Sequence, residues 1–277
     1  MKISLRQRIY ILKRKLLDVK YSKYESDSGN EEGFANYEDI YSKAEINFSD
    51  FRSNPIFQFV THNGQLDFAA LTTAYEQDEL LLSKYLDMPK SDLGYSKNLK
   101  YKFLDRLDSR HIMMSTIIAS FKRDFNTIVE IGGGFGNWYR LNRTIMKFKE
   151  WYIIDLPFVL DLQKWYLKNE NNKIDMLSFI SAYETNYIKS NLGNKQNIDL
   201  VIGAHSLSEM SMKDFNFYFN NIVKKSSYFF YAGHFFNFGY GLAKKKLKLI
   251  SKNFSLIKSV ESEKGSAINN LYINKKM

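Results

Sequence analysis

Glu130, Gly132, Gly134, Gly136 and Asp155 form the set whose residue types and spacing are suited to holding a cofactor. Glycines at alternate positions let the backbone take positive φ and approach a ligand closely. An acid about 20 residues further on can accept hydrogens from ribose hydroxyls. The spacing also separates two cofactor classes. A dinucleotide fingerprint of the G-x-G-x-x-G type begun at Gly132 needs a glycine at position 137, which is Asn137, whereas G-x-G-x-G is satisfied with Glu130 two residues ahead of it. For proton movement the candidates are His205 and His234, because imidazole titrates near neutrality, with Glu209 four residues after His205 and able to share a helical face with it.

These residues need elements that bring them together. A β-branched run over 127–131 reads as a strand entering a nucleotide-binding turn, and 138–147 is polar enough to be a surface helix whose N-terminus faces the ligand. A second short hydrophobic strand ends in Asp155, before Leu156 and Pro157. A third covers 198–203 and leads into Ala204, His205 and Ser206. Strand patterns recur near 127–131, 151–155, 175–180, 198–203 and 227–232, then as a hairpin over 254–261 and 268–274, with helical patterns between them. Such alternation predicts an α/β, Rossmann-like fold: a mostly parallel seven-stranded sheet, helices on both faces and an antiparallel last strand. Ligands in that fold sit beyond the carboxyl ends of the strands, so His205, Glu209 and His234 are expected at the site.

The hydrophobic strand followed by E-x-G-x-G-x-G resembles the first motif of the class I S-adenosylmethionine-dependent methyltransferases, and Asp155 stands where their second motif carries an acid. More narrowly, Glu130 to Gly136, the run from Ile153 through Leu167 and Ser208-Glu209-Met210 together resemble bacterial sugar O-methyltransferases. The motifs span roughly residues 110 to 240. The resemblance implies S-adenosylmethionine as cofactor, contacted by Glu130, Gly132, Gly133, Gly134, Phe135, Gly136, Asp155, Leu156, His205 and Ser206. It implies transfer to a hydroxyl of a sugar or glycan precursor, with His205, Glu209 and His234 as catalytic candidates. Amino-group methyltransferases often carry N-P-P-Y or D-P-P-Y after the fourth strand. Here that place reads Gly203-Ala204-His205-Ser206, which favours an oxygen acceptor over a nucleobase.

Composition bounds the rest. A chain of 277 residues, 44% hydrophobic, can bury such a sheet and leave about 100 residues over. The expected division is an N-terminal, mainly helical cap over 1–105, closing over a small-molecule substrate, and a catalytic domain over 106–277. Without cysteine, disulfides, thiolate metal sites and cysteine nucleophiles are excluded. No compact His/Asp/Glu spacing suggests a metal site. The net charge of +10 attracts polyanions in general and keeps a nucleic-acid methyltransferase, or a non-catalytic cofactor-binding protein, as the alternative readings. The basic run Lys244-Lys245-Lys246-Leu247-Lys248 reads as a solvated helix face. In the first 17 residues Leu5, Ile9, Leu12 and Leu16 recur at helical spacing among basic residues. That helix is expected to dock on its own domain, or else to lie on the inner face of a membrane, in an otherwise cytoplasmic protein.

Overall fold

The computed structural model describes residues 47–53, 57, 67–94, 106–170, 174–195, 197–234, 240–261 and 267–276. The expected N-terminal basic helix lies outside them. Among the described residues no helix is long and apolar enough to cross a membrane.

Seven strands form one sheet in the order β3-β2-β1-β4-β5-β7-β6. They are β1 Thr127–Ile131, β2 Glu150–Asp155, β3 Leu177–Ser181, β4 Ile198–Ala204, β5 Ser226–His234, β6 Phe254–Glu261 and β7 Ala267–Asn274. β1 pairs in parallel with β2 and β4, and β4 with β5; β7 runs antiparallel between β5 and β6. The fold class read from the sequence is therefore the one observed.

Parallel strands are covered on both faces, so alternate residues feed separate cores. Ile128, Trp151, Ile153, Leu200, Ile202 and Phe230 face one cluster, while Val129, Ile131, Ile154, Val201, Phe229 and Tyr231 face the other. The first cluster is closed by helices α1 Phe68–Gln77, α2 Glu79–Leu86, α3 Arg106–Phe121, α4 Asn137–Asn142 and α5 Pro157–Asn169. The second is closed by α6 Ser206–Glu209, α7 Met212–Asn221 and α8 Tyr240–Asn253. α1 and α2 are separate because Asp78 is extended (φ −166°, ψ 100°). Its amide completes α1 on Ala74 O while its carboxylate caps α2 at the Leu81 amide.

One expectation fails at α4. The segment after the glycine turn is helical only over Asn137–Asn142, and all six residues are buried. Its polar residues read as a surface helix, and it is interior because those polar groups have buried partners. Asn137 Nδ2 donates to Asp108 Oδ1 at 2.8 Å, Arg140 donates to Asn137 Oδ1, Asp108 and Pro89 O, and Asn142 Nδ2 donates to Ser115 Oγ at 2.8 Å. Tyr85 OH donates to Asn142 Oδ1 at 2.7 Å. Buried polar groups must be paired, and here α2, α3 and the Pro89 turn supply the pairs.

Candidate functional site

The strand order reverses between β1 and β4, so the crevice beyond their carboxyl ends is the switch point where ligands bind in open α/β sheets. The glycine turn leaves β1 on one side of it. Gly132, Gly134 and Gly136 take φ of 78°, 56° and 89°, left-handed values that favour glycine. Close approach adds a second requirement: a Cβ on Gly132 would stand 2.3 Å from Ser206 Cβ, and one on Gly133 2.7 Å from Ile153 Cγ2. Phe135 turns away from the crevice. Its ring is buried against Tyr166 and Phe51, with the Arg52 guanidinium 4.6 Å from its centroid, so any ligand contact from this residue must come from its backbone.

Glu130 lies on the inner face below the turn, almost fully buried, accepting a hydrogen bond from Trp151 Nε1 at 3.0 Å. Burial pushes its carboxyl up to about 8, against the pull of the Trp151 hydrogen bond and aided by the charge of Asp155. At the end of β2 the half-buried Asp155 braces the turn. Its Oδ2 accepts from Gly133 N at 2.8 Å and from Gln163 Nε2 at 2.9 Å, and its Oδ1 from Leu156 N at 2.8 Å. Burial raises this carboxyl to about 7, although the Leu156, Gly133 and Gln163 bonds all favour the ionised form. A carboxylate has about four acceptor positions. Three are filled as the side chain stands, which leaves about one acceptor position among the described residues.

The role of Gln163 was not legible as a spacing rule. This fully buried side chain on α5 bridges Gly134 O, at 2.8 Å, and Asp155. Its Oε1 is buried and has no hydrogen-bond partner among the described residues.

On the other side of the crevice His205 has φ 66°, the one positive value outside glycine among the described residues, and forms the N-cap position of α6. Such a conformation persists only where its surroundings over-determine it. They do. His205 N donates to Ala232 O at 2.8 Å, Ser206 Oγ donates to Ile131 O, and a Cβ on Gly203 or Gly233 would collide with Leu207 or Ser208. The Glu209 amide bonds His205 O at 3.2 Å, so the expected helical relation holds for the backbone. Burial raises the Glu209 carboxyl to about 7, against the pull of the nearby Lys246 cation. His234 is the last residue of β5, two positions past the Ala204–Ala232 register pair, and so stands at the same carboxyl edge.

Lys246 corrects the reading of its run as a solvated face. Lys244, Lys245 and Lys248 are exposed, but Lys246 is fully buried, with its ammonium on Leu207 O at 3.0 Å, Ser208 O at 2.9 Å and Met210 O. One lysine per helical turn can face inward, and composition cannot say which. Among the described residues no group of three or more His, Asp or Glu side chains converges as a metal site.

No family model and no curated protein matches this sequence. Solved structures are similar to this chain at low identity. The PH0226 protein of Pyrococcus horikoshii OT3 is similar over 61% of this chain and 91% of its own, at 14% identity and TM-score 0.47. The N-methyltransferase NodS of Bradyrhizobium japonicum WM9 is similar over 60% and 94%, at 13% identity and TM-score 0.45. TrmK of M. capricolum, solved with S-adenosyl-homocysteine, is similar over 57% and 66%, at 15% identity and TM-score 0.41.

Proposed function

We propose that the chain binds S-adenosylmethionine and transfers its methyl group to a hydroxyl, the acceptor being a sugar or glycan precursor. The observation that carries the cofactor reading is the E-x-G-x-G-x-G turn. Its three alternating glycines all stand at positive φ at the switch point, with Glu130 below, Asp155 beside and Ser206 against it. The cofactor supplies a methyl group on a sulfonium with a ready leaving group. The residues of this chain have three tasks: hold the cofactor, exclude water and take the hydroxyl proton as the acceptor oxygen attacks. Gly132 to Gly136, Asp155, Leu156 and Ser206 hold it. His205 accepts the proton through a neutral imidazole, with Glu209 supporting it and His234 in reserve.

Residues 1–105 are read as the unit that covers the acceptor, on a catalytic unit of 106–277. The two are joined where Arg52, Tyr85 and Pro89 reach Phe135, Asn142 and Arg140, on or just after the glycine turn. The sugar as acceptor rests on the sequence resemblance. Exposed Lys244, Lys245, Lys248 and Lys252 on α8 favour one rival, a nucleic-acid acceptor, whose binding would weaken steeply with salt.

The test is methyl transfer from labelled cofactor to fractionated surface-glycan precursors and, separately, to RNA. Label in a glycan fraction is the expected result; label in RNA alone would replace the sugar reading. Tight NAD binding with no S-adenosylmethionine binding would end the cofactor reading. His205→Ala should lower turnover about a hundredfold to ten-thousandfold while cofactor affinity stays within a few fold. If turnover barely changes, His234→Ala is the next variant.

A further inference from the structure

We propose that Lys246 is a positioning residue, which holds the loop after β4 from beneath and so fixes His205 in its left-handed conformation at the crevice. This deepens the reading of His205 as the proton acceptor and rests on it. The observation is geometric. The three ammonium hydrogens of Lys246 are matched by three backbone acceptors, Leu207 O, Ser208 O and Met210 O, all within six residues of His205. The side chain is 0% exposed, and its nitrogen lies 5.4 Å from the Phe215 ring centroid.

An ammonium is costly to bury, and a surface position was available to it on the same helix, as Lys244, Lys245 and Lys248 show. What it meets inside is the end of a four-residue helix, whose last carbonyls have few intrahelical partners and carry partial negative charge. Lys246 therefore does for α6 what a longer helix would do for itself. Glu209 adds the countercharge: burial lowers the Lys246 ammonium to about 8, and the carboxylates of Glu209 and Asp214 pull it back up.

The contacts from above act on the same loop. Ser206 leans on Gly132 and on Ile131 O, Leu207 on Gly203, and Ser208 on Gly233. These fix α6 against the ends of the strands, and they are short-range and mostly steric. Lys246 adds a charged tie between the loop and a separate element, α8. Without it the Leu207, Ser208 and Met210 carbonyls lose their shared buried donor. A residue at φ 66° has a favourable alternative to relax into once the loop is free to move.

The experiment uses the full-length protein and its own histidines, of which there are four. Imidazole NMR spectra of the wild type and of Lys246→Met are compared, with His205→Gln identifying the His205 signals. His111, stacked on Trp138 at 5.9 Å on the opposite face of the sheet, is the internal control. Expected is displacement or broadening of the His205 signals with those of His111 unchanged, and their return in Lys246→Arg. Unchanged His205 signals in a folded Lys246→Met protein would overturn the proposal. Equal disturbance of His111 would do so too, because Lys246 would then support the whole domain and not this loop. If Lys246→Met does not fold, Lys246→Gln, which keeps N–H donors without the charge, carries the same comparison. Titration with S-adenosyl-homocysteine is run alongside. About a tenfold weaker affinity in the variant is expected through the Ser206–Gly132 contact. Absence of binding in the wild type would count against the cofactor reading while leaving the NMR result to decide the role of Lys246.

Discussion

At the scale of single residues, the crevice is built from positions where one atom more is too many. Gly132→Ala would place a methyl group 2.3 Å from Ser206 Cβ on a backbone at φ 78°. Overpacking and backbone strain each cost about 1 to 3 kcal/mol, so the variant should melt earlier and bind S-adenosylmethionine poorly, as read by thermal denaturation and calorimetry. Adding Ser206→Gly should recover part of the loss, because it removes the collision and leaves the strain; full additivity of the two changes would contradict the contact. Asp155→Ala removes the acceptor shared by the Gly133 amide and Gln163. Binding of the cofactor should weaken by about 1 to 3 kcal/mol, the usual cost of losing hydrogen bonds to a charged group. Gln163→Leu, which breaks the brace without touching the carboxylate, should produce a smaller loss in the same titration.

At the scale of elements, α4 shows how the N-terminal part and the glycine turn are joined. The Arg140–Asp108 pair, at 3.2 Å, is almost completely buried and connects α4 to α3. Removing one partner of such a pair leaves an uncompensated charge, with a typical cost of about 3 to 5 kcal/mol. Asp108→Ala should therefore lower the urea midpoint strongly, and replacing both residues by Asp108→Leu and Arg140→Met should cost less than the single change. This packing was invisible to periodicity. Asn137, Arg140 and Asn142 are polar and so suggested a solvent face, but apart from bonds within α4 their partners come from segments 26 or more residues earlier. By contrast α5 was legible, with Pro157 at its first position and its buried positions at helical spacing.

At the scale of the whole molecule, buried carboxyls make stability depend on pH. Burial raises Glu130 from 4.5 to about 8. Below about 4.5 the folded and unfolded chains both hold this proton. Between about 4.5 and 8 only the folded chain holds it, so this contribution to stability is complete at low pH and is lost as pH rises through 8. Glu130→Gln keeps an acceptor for Trp151 and cannot ionise. The stability of this variant relative to wild type should therefore climb from pH 5 to pH 8, by at most about 1.4 kcal/mol per pH unit, in denaturant titrations at matched ionic strength. A constant difference across that range would mean that Glu130 ionises normally.

The sequence by itself determined the strands, their order of appearance and the glycine turn, because these follow from local rules. Period-2 and β-branched runs mark strands, and glycines at alternate positions mark a turn needing positive φ. That is why β1, β2, β4 and β5 with Glu130, Gly132, Asp155 and His205 at their ends could be placed from residues alone. The tertiary structure alone decided the rest. It turned the Asp155 carboxylate inward onto Gly133 and Gln163, put α4 in the interior, drew Phe135 into the aromatic cluster and buried Lys246 under the loop it supports. Each of these depends on a partner distant in sequence. Whether a polar or charged side chain faces water or the interior is set by the acceptor that the fold brings to it, and that acceptor has no signature within the side chain's own segment.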